Sequence, residues 1–312
     1  MKNLASPPPS SIESQGNAHM NFDNRLDSAI HKSQGFLLSQ QTEEGYWVDE
    51  LESNATISAE LIFFMHLTKT VDLKKQKKIT NYLLHKQRED GSWPLYFGGP
   101  CDINSTVESY MALKVAGIPA DQPEMIRARE AIFKNGGIKG TRVFTKVFLA
   151  MFGQISWEVC PAVPVEIILF KNWFPFNIYE MSSWSRGTVV PLSIVVSHKP
   201  VCQLPNGHGV KELFTGDDRQ LGFELDGSIF SSWRNFFIYL DKIIKFVGKS
   251  PWKPFRKRAL KRALRWVSEH QEAQGDFAGI QPAMLNSLLA YHDEGVPKDD
   301  PKWIKGWEAV ER

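Results

Sequence analysis

Two glutamates, Glu60 and Glu108, occupy matching places in the first third of the chain, each within a predicted helix that follows a Gly-x-Trp sequence. Two carboxyl groups held close together can divide general acid and general base work, as they do in glycoside hydrolysis. No distance between them follows from the sequence, so an α/α-barrel glycosidase is one alternative. Solvated or salt-bridged side chains on helix surfaces are the other interpretation.

Metal chemistry has little support in the residue pattern. Cys101, Cys160 and Cys202 lie far apart, and no Cys-x-x-Cys or Cys/His ligand spacing surrounds them. We therefore expect free thiols in a reducing compartment, and we rank low a zinc-dependent, prenyltransferase-type barrel. The pair Asp299-Asp300 precedes Pro301, which favours a helix N-cap over a metal ligand.

The bulk composition predicts a large folded chain with a substantial apolar core. Its 312 residues are 42% hydrophobic, include ten tryptophans and carry a formal net charge of +2, so a global signal for nucleic-acid binding is absent. No apolar run reaches the roughly 18 residues that a membrane span needs. Residues 1–23 are predicted to be a disordered tail without signal-peptide character. We expect the protein in the cytoplasm or on a membrane surface.

A Gln-x-x-x-Gly-x-Trp motif recurs along the chain, each time after an amphipathic, helix-like run. The glycine is predicted to end that helix in a left-handed conformation, and the glutamine side chain to bond nearby backbone. The preceding runs are Asn24–Gln40, Leu73–Lys86 and Phe255–His270. The motif residues are Gln41, Gly45 and Trp47, then Gln87, Gly91 and Trp93, and finally the variant Gln271, Gly275 and Phe277.

A second helix is predicted after each motif. Asn54 or Thr56 can cap a helix over Leu61–Leu67, and Asn104 can cap one that leads into Tyr110–Ala116. Strand signals are scarce, because the β-branched run Thr188–Ser197 contains a proline that suits a central strand badly, and we interpret it as a buried helix. The predicted fold is all-α, with repeated helical hairpins that close into an α/α barrel.

These motifs, together with several longer stretches, resemble the bacterial squalene–hopene cyclases, a family of triterpene cyclases. The resemblance runs in family order over residues 24–312, and it implies the N-terminal half of a chain about twice this length. The matching stretches are Tyr82 to Trp93, Arg142 to Thr145, Asn177 to Glu180, Ser183 to Arg186 and Gly279 to Pro282.

The family resemblance implies cyclisation of squalene to hopene and hopanol without a metal or an organic cofactor. The family's general acid lies in an Asp-x-Asp-Asp motif of the C-terminal half, and that motif is absent here. We therefore expect an enzyme part that is inactive alone, as a truncated gene product or a subunit of a split enzyme. The alternative is a non-catalytic, membrane-associated α/α-barrel module that binds an isoprenoid. Residues 281–312 are expected to pack toward the missing C-terminal domain, and homodimer formation is compatible with the resemblance.

The resemblance implies roles for particular residues. Trp184 matches a cavity tryptophan, Met181 and Val189 match the entrance channel, and Glu60 and Glu108 match carboxylates that support activity. Gln281 and Pro282 match a Gln-Pro-Pro-aromatic segment, from which this chain departs with Ala283 and Met284. For most aromatic residues between positions 157 and 184 we expect a place in the buried core. Those residues are Trp157, Phe170, Trp173, Phe174, Phe176, Tyr179 and Trp184.

A basic and aromatic segment predicts contact with a membrane surface. Ten Lys or Arg and no Asp or Glu lie between Lys242 and Arg265, and apolar residues from Trp233 to Val247 follow helical spacing. A solvated basic helix with its apolar side packed inward is the alternative, and no nucleic-acid motif accompanies the charges. The family resemblance favours a peripheral, monotopic protein on the cytoplasmic side of a membrane that takes squalene or a similar polyprene from the bilayer. We expect binding to anionic lipid that depends on Arg256, Lys257, Arg258, Lys261 and Arg262.

Overall fold

The structure is a computed structural model, and it describes residues 12–47, 52–174, 177–214, 216, 221–222, 232–250 and 252–312. The chain divides into two compact units, Met1–Glu52 and Ser53–Arg312. Among the described residues the regular structure is helical, apart from an isolated antiparallel bridge between Pro94 and Cys101. The predicted all-α class is confirmed.

Eleven α-helices cover the described residues, joined by turns and short 3-10 segments. The run Thr188–Ser197 lies within the seventh helix despite Pro191, as predicted. The helices are α1 (Ile12–Ser39), α2 (Ala55–Leu67), α3 (Leu73–Lys86), α4 (Ile103–Val115), α5 (Pro123–Lys134), α6 (Val143–Met151), α7 (Ser183–His198), α8 (Trp233–Gly248), α9 (Arg256–Glu269), α10 (Gln281–Asp293) and α11 (Pro301–Glu311).

Helices of two kinds alternate along the larger unit. The helices α2, α4 and α10 are buried around most of their circumference, including their small and hydroxyl-bearing residues. The helices α3, α5, α9 and α11 bury only a narrow apolar stripe and expose charged residues. A helix that is apolar all round belongs inside and an amphipathic one outside, so the pairs α3/α4 and α9/α10 each join an outer helix to an inner one.

The helix α10 packs against both α7 and α2. At their first turns, the Gln281 side chain of α10 donates to the Ile57 carbonyl of α2 at 2.7 Å. At their far ends, His198 of α7 meets Glu294 at 2.6 Å, and Lys298 donates to the carbonyl of Thr68, which caps α2, at 2.6 Å. Contacts from start to start and from end to end mean that these helices are parallel, as the inner row of an α/α barrel requires.

The Gln-x-x-x-Gly-x-Trp motif forms a turn that begins at the end of an outer helix. In the second copy α3 ends at Lys86, and the Gly91 amide donates to the Arg88 carbonyl at 2.9 Å with φ +82° at the glycine. The expectation that the glycine itself ends the helix is therefore wrong, because it closes the following turn. The buried Trp93 indole donates to the Leu83 carbonyl of α3 at 2.8 Å, which fixes the turn against the helix that it leaves.

The same turn also attaches the next outer helix. The Gln87 amide donates to the Gly91 carbonyl at 3.0 Å and to the Glu124 carbonyl in the first turn of α5 at 2.8 Å. In the variant copy, Gln271 donates at 3.0 Å to Gly275 and at 2.8 Å to Lys302 in the first turn of α11. The predicted glutamine bonding is thus confirmed, and its partners include the following outer helix.

The first copy lies in the smaller unit. The Gln41 amide donates to the Gly45 carbonyl at 2.7 Å, and the Trp47 indole donates to the Leu37 carbonyl at 2.5 Å. Unlike its counterpart, the Trp47 side chain is half exposed. The helix α1 begins at Ile12, inside the segment predicted to be a tail, and residues 1–11 lie outside the described part of the chain.

Helix caps follow the expected chemistry with one change. Asn54 accepts the Thr56 amide at the start of α2, and Asp300 accepts the Lys302 amide beside Pro301, as predicted. The cap of α4 is Asp102, which accepts the Ser105 amide, rather than Asn104. Asn104 is instead free to reach a neighbouring helix, since its side-chain oxygen accepts the Arg142 amide at 2.6 Å.

Candidate functional site

The glutamates Glu60 and Glu108 lie one to two turns inside α2 and α4, two helices that pack on each other. Both side chains are buried, at 6% and 1% exposure, so the expectation of solvated carboxylates is wrong, while the alternative of a salt bridge holds for Glu108, which pairs with Arg142. Burial raises the pKa of Glu60 to about 8, the Glu108 carboxylate adds to the rise, and Arg142 opposes it. Near neutral pH, Glu60 is therefore largely a neutral carboxylic acid.

Glu108 has polar partners that Glu60 lacks. Arg142 approaches one Glu108 carboxylate oxygen at 3.4 Å, and the Thr145 hydroxyl donates to the same atom. The second oxygen, Oε2, is buried without a hydrogen-bond partner among the described residues. Burial raises the pKa of Glu108, although Arg142 and Thr145 act against that change. Of the two buried carboxyl groups, Glu108 is the one held by a cation and a hydroxyl group.

Arg142 and Thr145 belong to this site, although sequence reasoning gave neither of them a role. Arg142 is the N-cap residue of α6, and Thr145 lies one turn further along the same helix face. Asn104 joins them from α4, because it accepts from the Arg142 backbone. The sequence did contain a signal for this contact. Arg142 and Thr145 are three residues apart, and residues at that spacing in a helix face the same neighbour.

The first turn of α10 contributes the expected Gln-Pro segment. Gln281 bonds α2 three residues before Glu60, as described above, and Pro282 occupies the start of the helix where its missing N–H costs nothing. Ala283 is buried, whereas Met284 is only partly covered. The segment therefore lies beside α2, the helix that carries Glu60, and it ends in a flexible apolar side chain.

The start of α7 presents the other expected residues. The Trp184 side chain is 62% exposed, while Met181 and Val189 are half buried. The Arg186 guanidinium donates to the Met181 carbonyl at 2.8 Å and lies over the Tyr179 ring. A Cβ built at Gly187 would touch Ala283 of α10 at 3.8 Å, so the first turns of α7 and α10 pack closely.

Several aromatic side chains near α7 are exposed. The expectation of a core position is wrong for Phe170, Trp173 and Tyr179, whereas Trp184 was expected in a cavity, and Phe176 lies outside the described residues. The four exposed residues are Phe170, Trp173, Tyr179 and Trp184.

The helices α8 and α9 present two different exposed surfaces. Apolar and aromatic side chains dominate the exposed part of α8 and the linker after it, with Phe246 and Trp252 at 80% and 78% exposure. On α9 the exposed residues form a basic stripe, and Arg256 does not belong to it because its Nε donates to Glu166 at 2.6 Å. The stripe consists of Lys257, Arg258, Lys261, Arg262 and Arg265.

No helix in the described ranges is long and apolar enough to cross a membrane. Those ranges also hold no group of three His, Cys, Asp or Glu side chains arranged to bind a metal ion. All three cysteines are free thiols.

Comparison with known proteins places the chain in one family. Residues 30–312 match the model of the squalene-hopene cyclase N-terminal domain. A squalene–hopene cyclase of Alicyclobacillus acidocaldarius is 42% identical over 288 residues, which cover 92% of this chain and 44% of that protein. One from Zymomonas mobilis is 38% identical and covers 94% and 44%, and one from Schizosaccharomyces japonicus is 36% identical and covers 91% and 44%.

The chain spans about 44% of the length of these relatives, and their C-terminal halves have no counterpart in the matched region. The paired helices, the repeated turns and the carboxyl-bearing inner helices agree with this match. The chain therefore belongs to the squalene–hopene cyclase family and corresponds to its N-terminal domain.

Proposed function

We propose that this chain forms walls of a hydrocarbon cavity and the membrane-docking surface of a polyprene cyclase, while the proton donor belongs to a separate C-terminal half. The observation that carries the proposal is the family match over residues 30–312 in a sequence without an Asp-x-Asp-Asp motif. Protonation of an isolated alkene needs a strong, water-excluded acid. The chain alone is proposed to be inactive.

The wall residues have properties that suit a cationic reaction path. Exposed rings such as Trp184 present π-faces, and each face stabilises a nearby cation by about 0.5–2 kcal/mol. We propose that Met181, Val189, Pro282 and Met284 complete the apolar lining. Such a lining shapes a polyene without attacking its cations.

The carboxyl pair is proposed to support this cavity rather than to start the reaction. A neutral Glu60 is a poor nucleophile, so it can lie near a carbocation without trapping it. Glu108 holds Arg142 and Thr145, and it thereby keeps α4 and α6 together below the cavity. Gln281 connects the same group to α10 through its bond to α2.

Membrane docking is proposed to use α8 and α9 together. The exposed aromatic side chains of α8 suit the interface region of a bilayer, where rings and apolar groups are buried among headgroups. The basic stripe of α9 supplies attraction to anionic lipid of about 1 kcal/mol per residue near the surface. The two together fit a peripheral protein on an anionic leaflet.

Incubation with squalene, alone and with the C-terminal half of a family cyclase, tests the catalytic proposal. We expect no hopene from the chain alone and hopene after the other half is added. Hopene from the chain alone would refute the assignment of the proton donor. Squalene binding with no turnover in either case would favour a non-catalytic isoprenoid-binding module instead.

Flotation with liposomes tests the docking proposal. We expect binding that needs anionic lipid and falls with added salt, and a Lys257→Gln, Lys261→Gln, Arg262→Gln variant that floats less. The matched control removes three exposed lysines of α3, Lys74, Lys77 and Lys78, in the same way. Equal flotation of the two variants would count against α9 as the docking element.

A further inference from the structure

A cavity of about 240 Å³ lies where the far end of α7 meets α8 and the linker to α9. It is several times larger than a water molecule. Trp157 forms part of its wall and is anchored there, because its indole donates to the Pro200 carbonyl at 3.3 Å. Five cationic side chains and one carboxylate line this basic cavity: Lys199, Lys245, Lys249, Lys253, Arg256 and Glu158.

Carboxylates of the protein neutralise these cations in part, since Lys245 pairs with Asp241 at 2.7 Å and Arg256 with Glu166 at 2.6 Å. Glu158 is shared at long range by Lys199 at 3.5 Å and Lys249 at 3.4 Å. The Lys253 side chain has no ion pair or hydrogen bond among the described residues, although the Lys253 backbone carbonyl accepts from the Arg256 amide at 3.2 Å. Although burial acts in the opposite direction, Lys199 and Lys249 hold the pKa of Glu158 below its usual value, which reports a positive local potential. The cavity is thus electrostatically suited to an additional anion.

The arrangement of the donors favours a phosphate group over a carboxylate. The ammonium groups come from three separate segments of chain, so they can approach a tetrahedral anion from several sides. Arg256 uses Nε on Glu166 at 2.6 Å, and its two terminal amino groups have no partner among the described residues. A guanidinium edge of this kind can form paired bonds to phosphate oxygens.

The surroundings of the cavity indicate where the phosphate comes from. Lys245 and Lys249 line the cavity, while Phe246 between them is 80% exposed, and Trp252 at 78% exposure directly precedes Lys253. A phosphate in the cavity would therefore have strongly exposed apolar side chains beside it. This combination matches the two ends of a phospholipid, whose phosphate is attached to acyl chains.

We propose that the basic cavity binds the phosphate group of an anionic phospholipid, a proposal that rests on the membrane docking proposed above. The site is distinct from the α9 stripe, because its cations line one half-open cavity. It would give the docking surface one preferred headgroup position in addition to diffuse attraction.

Titration of the full chain with sn-glycerol 3-phosphate at constant ionic strength tests the cavity. We expect a single saturable site, whose affinity falls about tenfold or more in Lys249→Gln, Lys253→Gln, since the variant removes two of the cations that line the cavity. The matched control Lys257→Gln, Lys261→Gln removes two exposed lysines of α9 and should leave this affinity unchanged. Equal losses in the two variants, or no saturable binding, would overturn the proposal.

Vesicles of phosphatidylcholine with phosphatidic acid test the lipid source. Both double variants should float less, but glycerol phosphate should displace only the wild-type chain and the Lys257→Gln, Lys261→Gln variant. Displacement that is the same in all three proteins would overturn the lipid assignment. A chain that binds glycerol phosphate in the cavity but floats with no vesicle would refute the membrane docking, and the lipid source with it. Normal flotation without glycerol phosphate binding would refute only the cavity.

Discussion

Glu60 carries a proton in the folded chain at a pH where an ordinary glutamate has lost it. Its surroundings on α2 are apolar, and the nearby charge of Glu108 adds to the cost of ionisation. Gln281 bonds the backbone one turn earlier in α2, and Arg142 offsets only part of the rise in the Glu60 pKa. The protonation state of Glu60 therefore connects the stability of the fold to pH.

Stability should fall between about pH 6 and pH 8 because of Glu60. The folded chain keeps this proton up to a pKa of about 8, whereas the unfolded chain releases it near 4.5. Since the folded state binds the proton more tightly, its advantage is lost as the pH rises through that range. Burial also raises the pKa of Asp293, to about 6. The stability that this proton contributes is therefore lost mostly below pH 6. Urea unfolding at pH 6 and at pH 8 measures the change in the free energy of unfolding.

The variant Glu60→Gln should flatten this pH dependence, because a glutamine cannot ionise. Glu130→Gln on α5 removes an exposed carboxylate and serves as the control. An unchanged slope in Glu60→Gln would mean that another group dominates between pH 6 and pH 8.

At the scale of elements, the repeated turn connects two successive outer helices. Its glutamine, glycine and tryptophan each bond or pack against a different neighbour, namely the next outer helix, the turn itself and the preceding outer helix. Gly91 lies so close to α5 that a Cβ would be 2.3 Å from the Arg127 carbonyl oxygen. Likewise, a Cβ added at Gly275 would be 2.1 Å from the Lys305 carbonyl oxygen of α11. The glycine is required by packing as well as by its backbone conformation.

The variant Gly91→Ala should lower the free energy of unfolding by about 2–5 kcal/mol. Roughly 1–2 kcal/mol comes from the left-handed conformation, and overpacking against α5 adds about 1–3 kcal/mol. Gly136→Ala is the matched control, because Gly136 also has a positive φ but no atom within 4 Å of the added Cβ. Its expected loss is only the conformational part. Similar losses in the two variants, measured by urea unfolding, would show that contact with α5 contributes little.

At the scale of the whole molecule, the larger unit has different chemistry at its two ends. The first turns of the inner helices carry the carboxyl pair and the exposed Trp184. The far end of α7 adjoins the basic cavity and α8. Parallel inner helices produce this division, because all of them begin at one end and finish at the other.

Membrane affinity should have an apolar part that salt does not screen. Phe246→Ser should weaken binding to anionic vesicles by about tenfold or more, since burial of such a side chain is worth about 1.5–3 kcal/mol. Phe97→Ser is the control, because Phe97 is fully exposed in the turn between α3 and α4. Flotation at low and high salt measures both effects. If Phe97→Ser weakens binding as much, the docking surface is at the other end of the unit.

Local patterns were enough to predict most of the helices. The run Leu73–Lys86 was predicted to the residue, and the cap at Asn54 and the helix through Pro191 were also predicted correctly. Each of these features depends on neighbours within a few positions, such as hydrophobic spacing, a side chain that accepts a backbone amide, or a fixed proline φ. The cap at Asp102 was missed because two suitable acceptors lay close together.

The amino-acid sequence by itself determined the all-helical class, the repeated turn chemistry and the family, because all three are written in short-range spacing and residue type. Only the tertiary structure decided that Glu60 and Glu108 are buried together, that Arg142 reaches Glu108, and that Lys199 and Lys253 line one cavity. The physical reason is distance along the chain. Burial, pKa and the sharing of an ion depend on segments that only helix packing brings together.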